Sequence, residues 1–252
     1  MAKGNLKIIS TIEARMGATR LPGKVLLPVL GRPALELLIE RLKRARRVDE
    51  IIVATTVNKN DEPIVKLCER LGVPFYRGSE GDVLSRVLEA AKSIGGDIIV
   101  EITGDCPLID PEIVDQCIDL FFSGEYDYVS NILKRTYPRG LVVQVFPTAI
   151  LEKAASLTKD PMDHEHVSLY IYNHPEIFRL KNVYAPSELH WPELALTLDT
   201  PEDYKLIKEV FERLYVKNPN FLTKDVIELF LRNPELAEIN SHIQRKPVKR
   251  IV

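Results

Sequence analysis

Over its first 120 or so residues the chain alternates short apolar runs with longer stretches whose apolar positions recur at helical spacing. Residues 6–12 (LKIISTI) predict a first strand, and a polar, glycine-containing loop follows as far as Pro33. Leu35, Leu38, Ile39 and Leu42 then mark a helix, and residues 51–54 (IIVA) a second strand. Asn60-Asp-Glu-Pro-Ile supplies cap residues and an early proline, so a helix through Ile64, Leu67, Cys68 and Leu71 should stop at Gly72. Residues 73–76 predict a short strand, and Val83, Leu84, Val87, Leu88 and Ala91 a helix closed by Gly95-Gly96. A strand at 97–103 and a helix at 111–122 complete the series. Such alternation predicts an α/β fold with a mostly parallel, doubly wound central sheet and flanking helices. Ligands of these sheets bind beyond the carboxyl ends of the strands.

The second half is less regular. Residues 126–130 and 141–146 predict strands around a turn at Tyr137-Pro-Arg-Gly140. Residues 163–173 predict a helix, 178–184 a strand, and 194–198 another apolar run. Asp199-Thr-Pro-Glu-Asp203 opens a helix, with Thr200 as N-cap, Pro201 first in the helix and Asp203 completing an acidic capping box. A last helix is expected at 224–232, before a basic segment at 245–250. With no internal repeat or linker, residues 1–252 read as a single domain.

Net charge is -2, from 34 Lys and Arg against 36 Asp and Glu, which excludes the basic excess of a nucleic-acid-binding protein. No apolar run approaches the length of a membrane span, and the N-terminal segment lacks the apolar core of a signal peptide. Cys68, Cys106 and Cys117 have no C-x-x-C spacing and cannot all pair. They fit a reducing, cytoplasmic setting.

The chemistry concentrates in the loop after the first strand. Residues 13–26 read EARMGATRLPGKVL, with Arg15, Arg20 and Lys24 among small residues and no acid after Glu13. A Walker A loop does not fit, because five residues separate Gly17 from Gly23 and Val25 stands where a hydroxyl is required. The glycine fingerprint of a dinucleotide fold is absent. Backbone N–H groups at 17–19 are suited to cradling oxyanions, and three clustered cations call for an anion between them. A solvated basic turn is the alternative reading.

The stretch Ile12-Glu-Ala-Arg-Met-Gly-Ala-Thr-Arg-Leu-Pro-Gly-Lys24 resembles the start of bacterial cytidylyltransferases. Residues 75–84 (FYRGSEGDVL), 102–111 (ITGDCPLIDP) and 198–203 (LDTPED) are similar to later motifs of the spore-coat polysaccharide biosynthesis protein F family. That family is related to the acylneuraminate and 3-deoxy-manno-octulosonate cytidylyltransferases. The resemblance implies a Rossmann-like nucleotide-diphospho-sugar transferase fold, with an acceptor and dimerisation insertion at roughly 125–190. It implies attack of an acceptor oxygen on the α-phosphorus of CTP, with pyrophosphate leaving. Arg15 and Lys24 then become the cations that offset charge on the leaving group, and Ala14, Met16, Gly17, Arg20, Arg77, Ser79, Thr103 and Gly104 nucleotide contacts. Asp105 and Asp199 become Mg²⁺ ligands, and Tyr137, Arg139, Gln144, His164 and Glu165 acceptor contacts. A homodimer through residues 126–145 is expected, with a role in surface polysaccharide or related biosynthesis.

Several positions depart from the family pattern. Glu13 replaces a glutamine, and Val142 and Gln144 replace two acids. His164 also departs, standing in His164-Glu165-His166-Val167 where the family has Arg-Glu-His-Val. Loss of two acids from an acceptor pocket would favour an acceptor bearing a phosphate or phosphonate over a neutral or amino sugar. A glycosyltransferase using a nucleotide sugar is a second class, but Gly104-Asp-Cys-Pro lacks the second acid of an Asp-x-Asp metal motif. A non-catalytic nucleotide-binding protein is a third.

Overall fold

A computed structural model describes residues 4–245, so the basic segment beyond Arg245 lies outside the described residues. Strand β1 (Ile8–Glu13) comes first. After the basic loop, β2 (Pro28–Val29) and β3 (Arg32–Pro33) form a tight hairpin. Its two turn residues, Leu30 and Gly31, take φ values of 52° and 73°, as a two-residue turn with both centres left-handed requires. Then follow α1 (Ala34–Leu42), β4 (Glu50–Thr56), α2 (Glu62–Leu71), β5 (Phe75–Gly78), α3 (Val83–Ser93), β6 (Ile98–Thr103) and α4 (Pro111–Phe122). The next segment holds β7 (Tyr128–Ser130), β8 (Gln144–Pro147), α5 (Thr148–Leu157), α6 (Pro161–Glu165), α7 (Leu169–Asn173) and β9 (Leu180–Asn182). Helices α8 (Pro201–Leu214), α9 (Thr223–Arg232) and α10 (Glu235–Ser241) close the described chain.

Seven strands form one sheet in the order β5-β4-β1-β6-β8-β7-β9. The pairings β5-β4, β4-β1, β1-β6 and β7-β9 are parallel, whereas β8 runs antiparallel to both neighbours. From β1 the chain builds outward through β4 and β5, then crosses back to lay β6 on the other side of β1. The strand order therefore reverses at β1, and the loops after β1 and β6 meet at one edge.

Both faces of the sheet are covered, which is why its strands read as continuous apolar runs. Ile8 and Ile12 pack with Leu35, Ile64 and Ile113 of α1, α2 and α4. Ile9 and Ile99 pack on the other face with Leu84, Val87 and Leu151 of α3 and α5. A third cluster joins Val29 and Leu37 to Leu206, Phe211 and Phe230 of α8 and α9.

The α3 face changes character along the strands. Side chains alternate, so Thr11 and Glu13 follow Ile9, and Glu101 and Thr103 follow Ile99, toward the carboxyl ends. Strand β8 brings Gln144 opposite Glu101, which also lies opposite Thr11. A polar floor is thus built into the sheet where the strand order reverses.

Three expectations are corrected. Residues 163–173 are not one helix but α6 and α7, broken where Val167 takes φ 46°, unfavourable for a β-branched residue. The run 194–198 forms no strand, and only Ala195 bridges to Arg139. Helices α5 and α10 were not anticipated. Strands β7 and β8 have partners on both sides within the sheet.

Candidate active site

The basic loop folds around Met16. Its carbonyl accepts from Ala18 N and Gly23 N, both at 2.9 Å, and its own N–H donates to Asp61 Oδ1 at 2.7 Å. Gly23 needs its left-handed φ of 68° for this turn. Met16 and Gly17 therefore line a side depression with Asn58 and Asp61 that adjoins the main cavity at Ala18. The same turn aims Lys24 inward.

Opposite, Gly104 N donates to Glu13 O at 2.9 Å, and a Cβ on Gly104 would sit 2.6 Å from that oxygen. Only glycine allows the two loops this approach. Between them opens a cavity of about 410 Å³, lined among others by Ala14, Arg15, Arg20, Lys24, Thr103 and Gly104.

Lys24 Nζ donates to Asp105 Oδ2 at 2.7 Å and to Asp199 Oδ1 at 2.8 Å. Arg20 pairs with Asp199 Oδ2 at 3.2 Å, and Arg15 with Glu80 Oε1 at 3.1 Å at the rim. Thr103 Oγ1 donates to Asp105 Oδ1 at 2.7 Å and fixes the carboxylate's orientation. Burial works against both charges, yet the two carboxylates raise the Lys24 pKa. For Asp105 burial is likewise outweighed by the charge and hydrogen bond of Lys24, so its pKa falls below the usual carboxylate value. The oxygens of Asp105 and Asp199 thus converge on one cationic point. Hard oxygens so placed fit Mg²⁺, which commonly takes one or two protein carboxylates and completes its shell with phosphate and water.

Asp199 is held from behind. Asp203 is fully buried and accepts from Asp199 N at 3.1 Å and Thr200 N at 3.0 Å, closing the expected capping box of α8. The same carboxylate accepts from Asn240 Nδ2 at 2.7 Å and from Arg245 at 2.8 and 2.6 Å. Exchanging Arg245 for methionine strands a buried carboxylate and is expected to cost about 3–5 kcal/mol. A scanning melt should show a fall of roughly 10 °C in the midpoint, and Arg245→Lys should restore part of it.

Five other residues lie elsewhere than expected. Arg77 does not reach the cavity, because its guanidinium is spent on Thr56 O, Asn58 O and Glu62. Ser79 Oγ accepts from Asp82 N in the turn before α3. Tyr137 is buried, with its hydroxyl on Gln116. Arg139 pairs through its backbone with Leu194 and Leu196. His164 Nδ1 lies 2.8 Å from Asp82 Oδ1 and ties α6 to the start of α3. Its bond to Asp82 raises its pKa, against burial.

Gln144 and Glu165 do line the cavity. So do Glu13, Glu101, Arg86 and His166, of which Glu101 and Arg86 were missed. Burial pushes the Glu101 carboxyl up to about 8, held back by bonds to Ser168 and Gln144. Glu13 is also raised well above the carboxylate range, first by burial and then by Glu101. A charged residue inside the apolar strand IIVEIT was the available signal. Val142 is not among the cavity-lining residues, so the expected loss of two pocket acids reduces to Gln144, beside two acids that remain.

An open α/β sheet with a basic loop and two aspartates at its switch point fits the class of nucleotidyltransferases. A sequence profile of the family described as cytidylyltransferase matches residues 9–227. The chain belongs to the cytidylyltransferase family and is a CTP-dependent nucleotidyltransferase. It is 33% identical to the spore coat polysaccharide biosynthesis protein SpsF of Bacillus subtilis, over 91% of this chain and 96% of the relative. A solved cytidylyltransferase from Leptospira borgpetersenii superposes with a TM-score of 0.87 at 34% identity, covering 96% of this chain and 100% of that one. A CMP:2-keto-3-deoxy-manno-octonic acid synthetase complexed with CTP shares the fold at a TM-score of 0.62 and 19% identity, covering 82% of this chain and 99% of that one. Among the described residues, no helix is long and apolar enough to cross a membrane.

Proposed function

We propose that this enzyme joins CMP from CTP to an acceptor oxygen and releases pyrophosphate, with Mg²⁺ as its ion. The observation that carries the reading is Lys24 seated between Asp105 and Asp199 in a cavity rimmed by Arg15 and Arg20. Asp105 and Asp199 would hold the ion, which would supply positive charge to the phosphate oxygens. Lys24 turns from the carboxylates to the triphosphate and offsets charge on the departing pyrophosphate. Arg15 and Arg20, half-exposed on short ion pairs, exchange those partners for phosphate oxygens. Ala14, Thr103 and Gly104 offer backbone groups to the base and ribose. Gln144 and Glu165 orient the acceptor for in-line attack, so the rate gain comes from positioning and charge stabilisation.

The acceptor is a small molecule such as a sugar acid or a phosphate- or phosphonate-bearing compound. The Bacillus relative's name supports a role in surface polysaccharide or related biosynthesis. The same reading takes the enzyme as a cytoplasmic homodimer. A panel of acceptors that includes 3-deoxy-manno-octulosonate, assayed with CTP or UTP and Mg²⁺, tests it. Pyrophosphate should appear with CTP and at least one oxygen acceptor. Pyrophosphate release that yields free CMP and no CMP-acceptor product would reject cytidylyl transfer.

A further inference from the structure

The cavity floor holds three polar groups that the transfer of CMP does not use. Glu13 Oε1, Glu101 Oε2 and Arg86 Nε are all shielded from solvent without a hydrogen-bond partner among the described residues. Their residues line the same cavity, and Glu101 and Arg86 are each only 3% exposed. Buried polar atoms are rarely left unpaired, because each forfeits its hydration. The two carboxyl oxygens among them point to a ligand that donates to both.

Neighbouring groups leave these particular atoms unpaired. The hydroxyls of Tyr128 and Ser168 both donate to Gln144 Oε1. Arg86 directs its Nη1 to the carbonyls of Ser79 and Glu80. Two carboxyls face one guanidinium, so if both ionised the cluster would be one positive charge short.

We propose that Glu13 and Glu101, beside Arg86, form an acceptor subsite whose two carboxyls take one primary ammonium group carried by the acceptor. The assignment rests on the cavity being the cytidylyl-transfer site. An ammonium brings the missing unit of charge and three N–H donors, and carboxylate oxygens are its natural acceptors. A phosphate or carboxylate at this spot would add a third negative charge. A hydroxyl would leave the charge count open. The raised pKa values of both acids agree with a site that lacks its countercharge while empty.

The test titrates the full chain, loaded with Mg²⁺ and a non-hydrolysable CTP analogue, with D-glucosamine, D-glucose and D-glucuronate. The first two differ at one ring position, ammonium against hydroxyl. D-Glucosamine should bind about tenfold or more tighter than D-glucose, as expected for a charge-assisted bond, and D-glucuronate should gain nothing over D-glucose. In Glu101→Gln and in Glu13→Gln the preference should disappear while a cooperative melt is retained. Gln144→Glu, which adds an acid opposite Glu101, should strengthen it. Equal binding of D-glucosamine and D-glucose by the unaltered enzyme, tighter binding of D-glucuronate, or no binding of D-glucosamine overturns the assignment. A titration with CTP runs alongside. Loss of CTP binding rejects the transfer reading, whereas CTP binding without an amine preference rejects this subsite alone.

Discussion

Replacing Lys24 by methionine is expected to lower kcat for cytidylyl transfer by about 10²–10³-fold, as removal of a preorganised group facing developing charge does. Methionine keeps an unbranched stem of similar length, so the loop around Met16 should still fold. What disappears is the ammonium between Asp105 and Asp199. Two carboxylates that share one counterion then repel each other, and the unliganded protein should lose stability near neutral pH as well. In the parent enzyme the Asp105 pKa is lowered. Its contribution to stability is therefore present above the unfolded carboxylate value of about 3.9 and is lost as pH falls through the depressed folded value. The Lys24→Met variant should lack that acid-side dependence. Steady-state kinetics and melts between pH 2 and 7 check both parts, and a kcat within a few-fold of the parent would remove Lys24 from the chemistry.

Glu101→Gln should act in the opposite direction on stability. Glu101 is held neutral in the folded protein up to about pH 8, whereas an unfolded glutamate ionises near 4.3. Between those values the unfolded state binds fewer protons than the folded one, so stability falls as pH rises. The glutamine side chain has nearly the same shape and never ionises, which removes this penalty. The gain should be absent at pH 4 and reach up to about 4 kcal/mol at pH 7, with Glu13 sharing part of it. Scanning melts from pH 4 to 8 read the effect directly, and a flat difference across that range would contradict it. A substitution that stabilises while it abolishes amine preference would mark Glu101 as a group kept for function at a cost to folding.

The parallel core was legible because its signals are local. Gly72 ends α2 in a left-handed conformation of φ 60°, and Thr200, Pro201 and Asp203 start α8 as their residue types direct. Lys24, Asp105 and Asp199 also came together as anticipated, since the loops after β1 and β6 share an edge by topology. The misplaced residues needed information that a linear pattern does not hold. Arg77 and His164 are long, polar and near the cavity in sequence, yet each is consumed by a partner on another element. Val167 interrupts a good helical pattern through one unfavourable dihedral. Glu101 and Arg86 sit in ordinary strand and helix positions, and their alignment on one face depends on the register between β1, β6 and β8.

The bracing of Asp199 by Asp203 and Arg245 also bears on when activity begins. Lys24 waits for a partner 175 positions downstream, and that partner's loop is secured by a residue 42 positions past Asp203. At about 5–20 residues per second, the ribosome needs on the order of 10–40 s to pass from Lys24 to Arg245. Until Asp199 is made, Arg20 lacks its acid and Lys24 has only one of its two. Both aspartates are thus brought together only after nearly the whole described chain has been made, and a product truncated before Asp203 would lack the brace on Asp199.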